Sequence, residues 1–176
     1  MDITTLFTTL LSLVALIFLF SIFILMMYAL IFGAPYATVA PNRIETMIKL
    51  LKLKKGDKLV DLGSGDGRIV IAFAKLGIEA HGYEINPVLV AWSRFRIRQL
   101  GLHKNAFVHF KSYWLEDLSG FDGVTVYGIA HMMGRLERKL KKELSPGSRI
   151  VSNYFQLPGM KATKQENKVS LYITPQ

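Results

Sequence analysis

The chain has no cysteine in 176 residues, which excludes disulfides, thiolate nucleophiles and cysteine-based zinc sites. Its four histidines, at 81, 103, 109 and 131, show no metal-ligand spacing, so no metal is assigned. Charge is missing from one long stretch: no Asp, Glu, Lys or Arg stands between Asp2 and Arg43. From Leu6 to Phe32 the residues are almost wholly apolar, broken only by Thr8, Thr9, Ser12 and Ser21. As a helix that run spans roughly 40 Å against a hydrocarbon core of ~30 Å, enough to cross a bilayer with tilt. A cleaved signal peptide needs a basic leading segment and a short apolar run; here no Lys or Arg leads and the run is long. Residues 1–34 are therefore expected to be a retained membrane anchor.

All 22 basic residues follow that run, with 12 of the 13 acidic ones, for a net charge of +10 from Arg43 onward. Arg43, Lys49, Lys52, Lys54 and Lys55 come directly after it. The excess of positive charge there predicts an N-terminus outside and the remainder on the cytoplasmic, or matrix, side. Further basic residues cluster on two predicted helices, Arg94, Arg96 and Arg98 on one and Arg135, Arg138, Lys139, Lys141 and Lys142 on the other. Beside a membrane this surplus reads as attraction to lipid headgroups, about 1 kcal/mol per nearby charge, in preference to nucleic acid.

What the chain does contain is glycine in a telling place. Residues 59–67 read Leu-Val-Asp-Leu-Gly-Ser-Gly-Asp-Gly: a short apolar strand ending near Asp61, a loop with Gly63, Gly65 and Gly67, and a helical pattern from Arg68. Residues without Cβ let backbone N–H groups turn and approach a ligand closely. A second acid, Glu84, ends the next apolar strand, where it can accept hydrogen bonds from ribose hydroxyls. Position 68 is arginine, so the dinucleotide fingerprint lacks its third glycine, and no G-K-[ST] follows to grip a triphosphate. Asp61 and Asp66 would repel a pyrophosphate but tolerate a cationic ligand.

The remaining pattern alternates strands and helices and predicts a parallel α/β sheet. Asn42 and Glu45 read as cap and box partner of a linking helix with Ile44, Met47, Ile48 and Leu51 on one face. Helices are expected from Arg68 to Gly77, after Asn86-Pro87 with Val88, Ala91, Trp92 and Phe95 inward, and over His131–Leu144. Six strands are expected, near 58–61, 80–84, 106–112, 124–129, 149–155 and 169–174. The last is antiparallel and at the edge, because the dozen residues before it contain Pro158 and Gly159 and are too short for a crossover helix.

The Asp61–Gly67 loop with an acid about twenty residues on resembles the first motif, and the acid after it, of class I S-adenosylmethionine (SAM) methyltransferases. More segments resemble one family, the membrane-anchored lysine methyltransferases of mitochondria (adenine nucleotide translocase and ATP synthase c-subunit type) and their small prokaryotic relatives. These are Gly33-Ala-Pro35-Tyr36, Asp61 to Val70, Gly82-Tyr-Glu-Ile-Asn-Pro87, Met132-Met133 with Leu136-Glu137, and Phe155-Gln-Leu-Pro158. The chain departs from that pattern at Ala37-Thr38-Val39 and at Met160.

The resemblance implies a Rossmann-like class I methyltransferase sheet behind one transmembrane helix. Residues 1–34 are then the anchor, 35–57 a linker and packing helix, and 58–176 the SAM-binding domain. It implies SAM as cofactor, S-adenosyl-L-homocysteine as product and a lysine of a membrane or membrane-adjacent protein as acceptor. A lipid, quinone or other small hydrophobic acceptor, and a SAM-binding protein without turnover, remain alternatives. Cofactor contacts are expected from Asp61, Gly63, Ser64, Gly65, Asp66, Gly67, Glu84, Asn86, Ser112, Tyr113 and Trp114. Asp61 and Asp66 either organise the loop or meet the ammonium group. Asn86 is read as adenosine contact or helix cap. No catalytic base stands at a diagnostic spacing; Tyr127, His131 and, as a lid, Tyr36 are the candidates near the reacting end.

Overall fold

The computed structural model describes residues 2–32 and 38–175 and divides into two compact units, Met1–Pro35 and Tyr36–Gln176. The Gly33-Ala-Pro35-Tyr36 segment, with the lid candidate Tyr36, lies outside the described residues.

The first unit is a single helix, α1 (Ile3–Phe32). Asp2 caps it, accepting from the Thr5 backbone N–H at 2.8 Å and from the Thr5 hydroxyl. The polar interruptions cost the helix little, because each hydroxyl donates back to a carbonyl four residues earlier. Thr9 reaches Thr5 O at 2.7 Å, Ser12 reaches Thr8 O at 2.8 Å and Ser21 reaches Ile17 O at 2.8 Å. Thr8 does the same to Thr4 O at 3.1 Å. These four hydroxyls therefore have partners within the helix. Length and composition suit a membrane span and equally a signal sequence.

The second unit is a sheet of seven strands: β1 (Lys58–Leu62), β2 (Glu79–Glu84), β3 (Ala106–Phe110), β4 (Gly123–Val126), β5 (Arg149–Asn153), β6 (Lys164–Glu166) and β7 (Val169–Ile173). Their spatial order is β3-β2-β1-β4-β5-β7-β6. The first five run parallel, while β7 pairs antiparallel with β5 and with β6. The sequence expected six strands with the last at the edge. The seventh, β6, is Lys-Gln-Glu, three polar residues with no apolar alternation, and it displaces β7 from the edge. The turn between them places Asn167 and Lys168 at φ +51° and +63°, the left-handed pair that a tight hairpin needs.

Helices α2 (Pro41–Leu51), α3 (Arg68–Ala74) and α4 (Pro87–Gln99) contribute to one core, in which Met47, Leu51, Phe73, Val90 and Ile97 meet Leu59, Val108 and Val151. Helix α5 (Ala130–Glu143) closes the other face with Met133, Leu136 and Leu140 against Val60, Val124 and Ile150. The three α5 residues stand at i, i+3 and i+7, one face of the helix expected over His131–Leu144. Two expectations fail. Helix α2 starts at Pro41 with Ala40 as cap and no side-chain cap bond, so Asn42 lies inside the first turn. In α4 the buried residues are Val90, Ser93 and Ile97, and Val88, Trp92 and Phe95 point outward.

Strand order reverses between β1 and β4, where the chain leaves β1 toward β2 on one side and returns at β4 on the other. A crevice over the carboxyl ends is the usual ligand position at such a point. The glycine loop leaves β1 there.

Candidate functional site

Asp61 stands near the carboxyl end of β1, only 2 % exposed. The Thr125 hydroxyl on β4 donates to its Oδ1 at 2.7 Å. Burial pushes this carboxyl up to about 7; the Thr125 bond opposes that, and the charges of Glu84 and Asp66 add to it. Beyond β1 the loop turns through three left-handed glycines, Gly63, Gly65 and Gly67, at φ +84°, +54° and +75°. The Gly63 and Ser64 amides both donate to Tyr83 O at 3.0 Å, stitching the loop to β2.

Glu84, the last residue of β2, hooks the same loop. Its Oε2 accepts from Gly65 N at 2.9 Å, and its Oε1 accepts from Ile85 N and Asn86 N, each at 2.8 Å. A carboxylate has about four acceptor positions, so these three leave one, on Oε2, for an incoming hydroxyl. Asn86 is the cap of α4: its Oδ1 accepts from Val88 N at 3.0 Å and Leu89 N at 3.3 Å. Of the two roles open to Asn86, the structure displays the cap.

Asp66 is taken up inside the protein. Arg68 grips it with two nitrogens, Nε at 2.9 Å and Nη2 at 3.0 Å, and Arg96 of α4 adds Nη1 at 2.9 Å. Burial disfavours its charge, but the hydrogen bonds and charge of Arg68, with the charge of Arg96, outweigh that and hold the carboxyl below its usual range. Asp66 therefore organises the loop. Arg68 also reaches Val39 O at 3.1 Å, tying the segment ahead of α2 to the loop.

Ser64 shows why strand β2 carries a glycine. The Ser64 hydroxyl is buried without a hydrogen-bond partner, and a Cβ at Gly82 would come within 2.5 Å of it. Gly82→Ala should therefore push the loop off β2. We expect about 1–3 kcal/mol of destabilisation in a denaturant titration, with ligand affinity at the loop lost alongside.

At the carboxyl ends of β4 and β5 a second cluster forms. The Tyr127 and Tyr154 rings stack at 6.4 Å, tilted by 16°. Tyr154 adopts φ +71°, which stops β5 at Asn153, two residues before the expected end, and its N–H donates to Lys168 O at 2.8 Å. The Arg43 guanidinium and the Lys168 ammonium each lie 4.7 Å from the Tyr154 ring centroid. Asn153, the residue before Tyr154, is fully buried with both amide atoms unpaired, an arrangement that asks for a partner. His131 is exposed in the first turn of α5. Tyr113 and Trp114, 4.8 Å apart, pack on the α5-side core, and Arg135 covers the Trp114 ring at 4.2 Å. Ser112 precedes them, half-buried.

Residues 61–164 match a family described as the ANTKMT methyltransferase domain. The chain belongs to this family. It is 41 % identical over 124 residues to the ATP synthase c-subunit lysine N-methyltransferase of Homo sapiens, covering 70 % of this chain and 53 % of that protein. It is 32 % identical over 127 residues to a protein-lysine N-methyltransferase of Saccharolobus islandicus, covering 71 % and 79 %. The chain thus spans about half the length of the human relative and most of the archaeal one. In three dimensions it resembles an RNA methyltransferase from Salinibacter ruber crystallised with S-adenosyl-L-homocysteine, with TM-score 0.74, 28 % identity, and 79 % of this chain and 94 % of that one covered.

Within this ANTKMT-family chain, Asp61, Gly63, Ser64, Gly65, Asp66, Gly67 and Glu84 form one connected loop, as their spacing implied. Tyr127 follows Val126 of β4, whose register partner on β1 is Leu62, the residue before Gly63. Sequence reasoning gave Asn153 and Tyr154 no role, read Arg96 only as surface charge, and named Glu137 only within a family-like segment. Glu137 of α5 is buried, accepts from Gly159 N and from Lys141 Nζ, both at 2.6 Å, and braces the segment after β5. The resemblance of Leu136-Glu137 to the family and the i,i+4 spacing of Glu137 and Lys141 are its signs in the sequence.

Proposed function

We propose that the chain binds SAM at the Asp61–Gly67 loop and transfers its methyl group to a lysine of a membrane or membrane-adjacent protein, with α1 as the anchor. The observation that carries this reading is the loop itself, hooked by Glu84 in a fold whose relatives are named lysine methyltransferases. Two features suit that cofactor: a desolvated acid for the ammonium end and one free acceptor position on Glu84 for a ribose hydroxyl. When bound, SAM supplies an electrophilic methyl on a sulfonium.

The rest is alignment and deprotonation. An acceptor lysine must be neutral, which costs about 4–5 kcal/mol at pH 7 from an ordinary pKa near 10.4. Tyr127 and Tyr154 offer flat walls for an aliphatic stem, and Asn153 offers an unpaired amide. Arg43 and Lys168 place positive charge beside the same wall, which disfavours an ammonium there and lowers that cost. Holding enzyme and acceptor on one membrane raises their effective concentration. The positive-inside excess after α1 supports an N-terminus outside and the domain on the cytoplasmic or matrix side.

Incubating membranes with radiolabelled SAM, with and without the protein, tests the reading. Label recovered as methyl-lysine in a protein band is the expected result. Label in the organic extract would replace the acceptor by a lipid or quinone, and binding without transfer would replace the enzyme by a SAM-binding protein.

A further inference from the structure

Helix α4 presents its larger apolar side chains to the outside. Val88, Trp92 and Phe95 are 68, 52 and 49 % exposed, and with exposed Ala91 they fall at i, i+3, i+4 and i+7, one continuous stripe. Trp92 and Phe95 stack at 5.7 Å, so the stripe is ordered and contiguous. The inward face carries Ser93 instead, whose hydroxyl points to Gly65 O at 2.9 Å. An apolar stripe turned outward on a helix that could have buried it marks a contact surface.

The charges beside the stripe are of one sign. Helix α4 contains Arg94, Arg96 and Arg98 and no acidic residue. Arg96 is committed to Asp66 and Arg94 donates its Nε to Val108 O at 2.8 Å, while Arg98 is exposed beside the stripe. A second copy docking through the same face would bring these arginines against each other, a like-charge contact. Four side chains on one convex helix also fall well short of the ~800 Å² per partner of a standard interface. Tryptophan and phenylalanine flanked by arginine is instead the composition of a helix lying at a bilayer surface with anionic headgroups.

We propose that the outward face of α4 docks on an anionic lipid surface, with Val88, Trp92 and Phe95 inserted at the headgroup–acyl boundary and Arg98 on the phosphates. This surface stands apart from the methyl-transfer reading and from any insertion of α1. Through Ser93 and Arg96 the docked helix is bonded directly to the glycine loop, so lipid contact fixes which way the loop's side of the domain faces the membrane.

The chain has two tryptophans, Trp92 and Trp114, and neither lies in α1, so Trp92 is a local reporter in the full chain. The protein is reconstituted in vesicles of phosphatidylcholine with phosphatidylserine and probed with lipids brominated near the headgroup. Emission should shift to shorter wavelength and be quenched by the bromines, and Trp92→Phe, which keeps Trp114, should remove that quenching. Arg98→Gln should lower the docked-to-undocked ratio about fivefold, the equivalent of one charge at the surface. Phe95→Glu should abolish quenching while the chain still floats with vesicles. Quenching that survives Trp92→Phe, or a protein that floats while Trp92 keeps its emission in water, overturns the proposal. So does a blue shift that ignores the bromines and grows with protein concentration, which would assign the face to a second copy. Loss of methyl transfer with normal quenching would count against the enzyme reading alone.

Discussion

Glu84→Ala should abolish methyl transfer and weaken SAM binding at least a hundredfold, a loss of about 2.7 kcal/mol. The side chain is more than a ligand contact. It accepts three backbone donors, from Gly65, Ile85 and Asn86, and charge-assisted bonds of this kind are worth about 1.5–3 kcal/mol each when one partner is deleted. The residue is half-buried, so water recovers part of the loss, and a net destabilisation on the order of 3 kcal/mol is expected. Glu84→Gln separates the two roles. Its carbonyl can still serve Ile85 and Asn86, but its amide group then faces Gly65 N–H, donor against donor. The variant should keep most of its denaturation midpoint and still fail to bind. Calorimetric titration with SAM beside a urea titration gives both numbers. Normal affinity in Glu84→Gln would mean that the Gly65 link does not shape the site.

The loop was legible because its residues are contiguous and their requirements local. Three glycines at left-handed φ, an acid at a strand end and a helix start can all be read within nine positions, and Glu84 follows one βα unit later. The parallel order and the antiparallel turn-back of β7 were legible too, from alternation and from a connection too short to cross. The tyrosine pair was half legible. Tyr127 falls at a strand end, but Tyr154 gains its place from a left-handed backbone and from Lys168 across a hairpin. Neither has a signature in sequence.

The α4 face failed for a physical reason. Periodicity finds stripes but does not say which one turns inward, and this helix carries two, Val90 with Ile97 and Val88 with Trp92 and Phe95. Close approach to the glycine loop decides between them. A Cβ on Gly67 would already lie 2.9 Å from Ser93 Cβ, so a small residue must face the loop and the aromatic stripe is turned out. The basic residues were likewise read as one surface, whereas Arg96 binds Asp66 and Lys139 donates to Glu116 O and Glu143, each at 2.7 Å. Only tertiary structure separates a cation at work inside the fold from one left at its surface.

Asp61→Asn should give a protein that is more stable at neutral pH and unable to hold SAM. The carboxyl is raised from 3.8 to about 7 by burial, so the folded state binds its proton more tightly than the unfolded chain does. The stability this provides is complete below about pH 4 and is lost as pH rises to about 7. Above that, keeping the charge dry costs on the order of 4 kcal/mol. Asparagine keeps the acceptor that Thr125 uses and carries no charge. The stability difference between variant and parent should therefore move by about 2–3 kcal/mol in the variant's favour between pH 5 and pH 8. Comparing the two chains cancels the opposite trend from Asp66 and Glu137, whose carboxyls are held low and lose stability as pH falls. Ligand binding should run the other way. Only ionised Asp61 pairs with an ammonium, while that amine, ordinarily near 7.7–8.0, stays largely charged. Parent affinity should thus fall roughly fivefold from pH 7.5 to pH 6, and the variant should bind weakly with no such slope. A variant that shares the parent's pH slope would show that the ammonium end lies elsewhere, and that Asp61 serves Thr125 and the strand pair alone.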